Sequence, residues 1–146
     1  MKRFALLFLF ASACKTVPVS DSTLTGGATP RAAVERYLAG AFAQDMQAIG
    51  AVFGNDKGPA RDQYPRATLE TQFLVQLSCF RRGKATISPP TLGERGTQIF
   101  SVGLTQEKLE LSVPFVVVKG PSNRWYVQQF EIVPLQNKGF CSKSGG

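Results

Sequence analysis

No histidine occurs anywhere in the 146 residues of this chain. That absence removes Ser-His-Asp and Cys-His nucleophile systems, histidine-liganded zinc and histidine general bases together, so catalysis would have to run on carboxylates, Tyr, Lys or Arg. Acidic residues are scarce as well: ten Asp and Glu stand against 17 Lys and Arg, for a formal net charge of +7. A mild excess of this kind reads first as a solvated surface, and second as attraction to anionic head groups or envelope polymers. No nucleic-acid motif accompanies it, so a nucleic-acid partner is not expected. Long apolar runs are also missing. Residues 4–13, the apolar stretch that opens the chain, would rise only ~15 Å as a helix, about half the hydrocarbon thickness of a bilayer, which argues against a permanent span.

Lys2 and Arg3, the apolar residues 4–10 and the small residues Ala11, Ser12 and Ala13 form the three-part layout of a secretory signal peptide. Two processing routes fit. Ala11-Ser12-Ala13 satisfies the A-x-A pattern of ordinary signal peptidase, which would release a soluble secreted protein. The same residues followed by Cys14 resemble the bacterial lipobox, with Ala11 where that motif favours Leu. The resemblance implies a lipoprotein whose first mature residue, Cys14, is diacylated and then N-acylated, and hence a membrane partner reached through a lipid anchor. Lys15 stands where the inner-membrane retention signal resembles Asp, so the implied location is extracytoplasmic, at the outer membrane facing the periplasm in a two-membraned organism.

Cysteine arithmetic favours the lipidated route, because three thiols in an exported chain leave one over. Lipidation of Cys14 leaves Cys79 and Cys141, for which a disulfide is expected in an oxidising compartment; two separate buried thiols are the alternative.

The remaining length suits one domain. Residues 1–13 are read as the signal peptide, 14–29 as the lipidated cysteine and a flexible Ser/Thr/Gly-rich tether, 30–141 as a single α+β domain and 142–146 as a disordered tail. Thr29-Pro30 is an N-cap followed by Pro, opening an amphipathic helix over about 30–43 with Val34, Tyr37, Leu38, Ala41 and Phe42 on one stripe. Asp45 caps a short second helix that Gly54 would close, and residues 54–65 read as an exposed loop. Leu69, Phe73, Leu77 and Phe80, with Leu74 beside them, mark a third helix that Gly83 stops after the cations Arg81 and Arg82.

Beyond Lys84 the hydrophobic period changes to two. Strands are expected over 84–88, over 98–104 with Phe100, Val102 and Leu104 on one face, and over 109–117 with Leu109, Leu111, Val113, Phe115 and Val117 aligned. Pro114 requires an edge or a bulge in the last of these. A turn over 119–123 leads into a strand over 125–133, whose Tyr126, Phe130 and Ile132 share a face interrupted by Gln128.

Helices followed by antiparallel-type strands give an α+β class, with the N-terminal helices packed on a curled sheet. The order of elements, the segment AVERYLAGAFAQDMQAI and the hairpin KGPSNRWYVQQFEI look like the nuclear transport factor 2-like superfamily, over roughly residues 29–134. The resemblance implies a cone whose interior, lined by Tyr37, Phe42, Phe100, Tyr126, Gln128 and Phe130, would hold a small apolar ligand; alternatively these aromatics fill the core. It also implies homodimers through the outer sheet face, to which Trp125, Val127 and Val133 would contribute. Isomerase or cyclase chemistry in such a cone needs a pocket carboxyl and a phenol. Asp45 reads as a helix cap, Asp56 and Asp62 as loop residues, and Glu35 and Glu131 as outward-facing, so no catalytic residue, cofactor or metal ligand is assigned. Gly58-Pro59-Ala60-Arg61 lacks phosphate-loop spacing, and Arg81, Arg82 and Lys84 read as helix-end cations rather than an anion site. The expected function is a noncatalytic ligand-binding or accessory module that meets a small ligand or an envelope protein; the alternative is a small pocket enzyme.

Overall fold

Thr29 Oγ1 accepts the Ala32 N–H at 3.1 Å, and Pro30 sits where a missing N–H costs nothing, so α1 runs Pro30–Phe42. The structure, a computed structural model, describes residues 24–142; the leader, Cys14, the tether up to residue 23 and residues 143–146 lie outside the described residues. Ala33, Val34, Tyr37, Leu38 and Ala41 line the buried face of α1. Asp45 Oδ1 accepts from the Gln47 and Ala48 N–H groups at 3.0 Å and opens α2 (Met46–Val52), which buries Ile49 and Val52.

Gly54 does not close α2. Phe53 is its C-cap, and Gly54 begins β1 (Gly54–Asn55), which pairs with β2 (Gly58–Pro59) so closely that a Cβ at Gly54 would strike the Gly58 carbonyl. The stretch expected as an exposed loop is therefore a small hairpin and a 3-10 turn over Ala60–Asp62. Gly58, Pro59 and Ala60 are buried, and the Ala60 N–H donates to the Phe53 carbonyl at 2.8 Å.

Helix α3 (Arg66–Ser78) buries Leu69, Phe73 and Leu77, while Leu74 is 59% exposed and turned away from that stripe. The helix ends at Ser78, so Arg81 and Arg82 follow it instead of occupying its last turn. Gly83 does not stop the helix but admits a close backbone approach. At φ +124°, a Cβ there would collide with the Thr105 carbonyl, and the position leads straight into β3.

The sheet is antiparallel and is not closed into a barrel. It contains β3 (Lys84–Ile87), β4 (Thr91–Leu92), β5 (Gln98–Gln106), β6 (Leu109–Lys119) and β7 (Trp125–Phe130), in the order β3-β5-β6-β7 with β4 also on β5. Ser88-Pro89-Pro90 splits one edge into β3 and β4, because consecutive prolines cannot supply ladder donors. Alternation holds along β5 and β6: Phe100, Val102, Leu104, Val113, Phe115 and Val117 all face the helices. Pairing of β6 with β7 begins opposite Phe115, so β6 has β5 as its one neighbour at Pro114, and a bulge follows between Val116 and Val117.

Sequence alternation fails in β7 because of that bulge. Val116 pairs with Gln129 and Val117 with Val127, leaving Gln128 as the extra residue. Val127 and Phe130 consequently join the core, whereas Tyr126 is buried apart from it, against Gly26 and Gly120, with its hydroxyl 2.8 Å from Thr25 Oγ1. The strand stops at Phe130. Val133, expected at its end, instead begins α4 (Val133–Lys138), which buries Leu135.

The flexible reading of residues 14–29 does not extend to 24–29. Gly27 bridges Trp125 through reciprocal backbone bonds of 2.7 and 2.9 Å, and Gly26 donates to the Ala51 carbonyl at 2.7 Å. Arg36 reaches the Leu24 and Gly26 carbonyls, and Arg124 those of Thr25 and Gly26. Together with the Phe53–Val127 bridge, this segment covers the outer edge of β7.

Cys79 caps the end of α3 and is disulfide-bonded to Cys141, while the Ser142 N–H donates to the Ser78 carbonyl at 3.0 Å, so Ser142 belongs with the domain rather than a tail. No helix among the described residues is long and apolar enough to cross a membrane. The bridge closes a loop of 62 residues, which constrains the unfolded chain by ~4 kcal/mol on the loop-entropy model. Replacing both cysteines with serine should lower unfolding stability by roughly 2–4 kcal/mol in urea titrations, and the reductant sensitivity of the parent should disappear.

Candidate functional site

Tyr37 occupies the place where the cone-like resemblance implies a ligand pocket. It projects from the middle of α1, fully buried, with its ring centroid 5.4 Å from Phe130, 5.7 Å from Phe115, 6.1 Å from Phe80 and 6.2 Å from Phe53. Phe115 and Phe130 stack on each other at 4.7 Å, and Phe42 meets Phe80 edge-on at 5.9 Å. Phe100 is buried in the same core. Of the six residues expected to line an interior pocket, Tyr37 and Phe100 are thus in the buried core, and Phe42 and Phe130 are partly buried and packed against it. Tyr126 lies outside it beneath the Leu24–Gly27 segment, and Gln128 is exposed at the bulge.

The Tyr37 hydroxyl donates to Gln76 Oε1 at 2.8 Å. Burial raises the Tyr37 phenol well above its ordinary range, since the phenolate would lose its hydration there. Asp45, Asp56, Asp62, Glu35 and Glu131 are all exposed, so none supplies a buried carboxyl beside this phenol. Glu35 instead pairs with Arg31 at 2.9 Å on the outside of α1. Arg81, Arg82 and Lys84 are exposed too, with Arg82 3.7 Å from Glu107.

An open groove lies between α3 and β7. Two adjoining depressions, of about 290 and 390 Å³, share Phe53, Gln72 and Gln128. Tyr64 and Leu69 extend the first toward the β1–β2 hairpin; Val75, Gln76, Gln129 and Phe130 complete the second. The bulge creates this site, because the extra residue Gln128 is carried out of the sheet at the groove's centre. None of the described residues lining either depression is charged.

Gln76 is legible in principle: it falls on the apolar stripe with Leu69, Phe73, Leu77 and Phe80, where a polar side chain needs a partner. Phe53 and Gln72 carry no such signal, since their role depends on how α3 and β7 diverge.

The pairing surface expected from Trp125, Val127 and Val133 is not assembled from those residues. Val127 is in the core, Trp125 is half-buried with Lys119 Nζ 6.0 Å from its ring, and Val133 belongs to α4. A wider depression of about 660 Å³ is lined by Ile99, Val116 and Val118 of the sheet together with Asp56, Glu94, Arg95 and Lys119, and it shares Gln128 and Gln129 with the groove. Comparison with protein-family models, with curated proteins and with solved structures finds no match to this chain.

Replacing Tyr37 with Phe should cost about 1–3 kcal/mol, because the largely buried Gln76 loses the donor to its Oε1. The raised phenol makes a signed prediction. Its stabilising contribution is whole below the unfolded-state value of about 10 and declines as pH rises past it, because the unfolded chain releases the proton first. Urea midpoints should therefore fall less steeply above that pH in Tyr37→Phe than in the parent.

Proposed function

We propose that this chain is an exported bacterial envelope lipoprotein, anchored by acyl chains on Cys14, and that its domain is a noncatalytic ligand-binding module of nuclear transport factor 2-like type. Export is supported by the Cys79–Cys141 disulfide, a bond that persists in oxidising compartments and is rare in the cytosol. Once that pair is formed, Cys14 is the cysteine left for acylation.

The observation that carries the binding role is the contrast between a closed interior and an open groove. Tyr37, Phe80 and Phe115 are buried inside the cone, whereas Phe53 and Phe130 stand half-buried at its margin, where the cleft between α3 and β7 presents their ring surface and side-chain amides to solvent. An isomerase-type reading lacks its central pairing, since no carboxyl approaches the buried phenol among the described residues. The ligand or envelope partner meets the domain at the groove, and the anchor keeps the domain near the membrane surface, at the outer membrane where the organism has one.

Intact mass spectrometry of protein extracted from membranes tests the anchor. The mature chain should begin at Cys14 and carry acyl mass on that residue, and Cys14→Ser should move the protein to the soluble extracytoplasmic fraction. A chain that is soluble and unmodified at Cys14 without mutation would overturn the lipoprotein assignment.

A further inference from the structure

The side chains facing the groove fit one chemical class of ligand. Gln76 is 7% exposed, its Oε1 is held by the Tyr37 hydroxyl, and its Nε2 has no hydrogen-bond partner among the described residues. That amide nitrogen is a donor fixed at the groove wall by a buried bond on its other end. The side-chain amides of Gln72, Gln128 and Gln129 are likewise not taken up by any hydrogen bond among the described residues. Each carries two donors and an acceptor. Phe53 and Phe130 are half-buried beneath them, and Tyr64 stands 50% exposed at one end.

Lack of charge is the second observation. In a chain of net charge +7, the described residues that line the two depressions include neither Lys nor Arg, and neither Asp nor Glu. An anionic lipid or acidic polymer would find no cation at the site, and a cationic ligand no carboxylate. Hydroxyls, which both donate and accept, match carboxamides in both roles, and the C–H faces of a sugar ring match aromatic surface. The two depressions lie on either side of shared walls, Phe53, Gln72 and Gln128, and this side-by-side arrangement suits a chain of linked rings better than one small molecule.

We infer that the groove between α3 and β7 binds a neutral glycan strand, with Gln72, Gln76, Gln128 and Gln129 hydrogen-bonding its hydroxyl or acetamido groups and Phe53, Tyr64 and Phe130 contacting ring faces. This assignment rests on the binding-module reading and names its ligand class.

The test is NMR titration of the full-length protein in detergent micelles, with glutamine side-chain amides labelled with nitrogen-15. The probes are cellohexaose, hexa-N-acetylchitohexaose and an uncharged hexapeptide. At least one oligosaccharide should shift the amide signals of Gln72, Gln76 and Gln128, with Kd of roughly 0.1–1 mM. The affinity should hold between low salt and about 0.5 M salt, because no ion pair contributes. Gln72→Ala and Gln128→Ala, both at exposed positions, should each weaken binding about three- to ten-fold with Tm unchanged. Tyr64→Ala should weaken it comparably and keep the fold. Shifts with the hexapeptide alone would overturn the glycan assignment and leave the binding module standing. Silence from every probe would remove the groove from both readings, and oligosaccharide binding indifferent to all three variants would overturn the site.

Discussion

The fold depends on a single ring. Tyr37 of α1 touches Phe53 at the end of α2, Phe80 beyond α3, Phe115 of β6 and Phe130 of β7, so one side chain reaches every layer that has to meet. Its hydroxyl cannot sit in such a core unpaired, which is why α3 carries a glutamine on its apolar stripe. The requirement propagates outward. Gln76 is held by Tyr37 from one side, and its remaining donor becomes part of the surface between α3 and β7.

Much of the architecture is written locally. The Thr29 and Asp45 caps, the helical stripe of α1 and the two-residue period of β5 and β6 can each be read from a few neighbouring residues, and each stands close to where it is expected. The misreadings have physical causes. Gln128 looks like a polar interruption of an alternating strand, and only the pairing of β7 with β6 makes it a bulge that exchanges the faces of Tyr126 and Val127. Gly54 looks like a helix terminator, yet its neighbour in space is Gly58 across a hairpin. Leu24–Gly27 resembles a linker by composition, and arginines 36 and 124 are what fix it. Contacts distant in sequence decide the strand and the linker, and a tight hairpin whose Gly58 lies only four residues on decides Gly54.

The candidate site is half legible for the same reason. Gln128 stands out as a polar residue among aromatics, and it does line the groove, but from outside the cone rather than within it. Tyr37 and Phe100 do cluster, as filling, while Phe130 packs against them from the margin and lines the groove. Aromatic residues in a small domain serve burial first, and ligand contact falls to those left at the margin of the packed core.

Leu24–Gly27 has a mechanical meaning. Tension on the chain ahead of Leu24 is not delivered first to the Thr29 cap or to the start of α1. It is taken up by backbone bonds to Trp125 and Ala51 and by guanidinium bonds from Arg36 and Arg124, which spread the load over α1, α2 and the final strand at once. The entry to the domain is a clamp rather than a hinge, because a pull on Leu24 meets bonds to three separate elements before it reaches the first turn of α1.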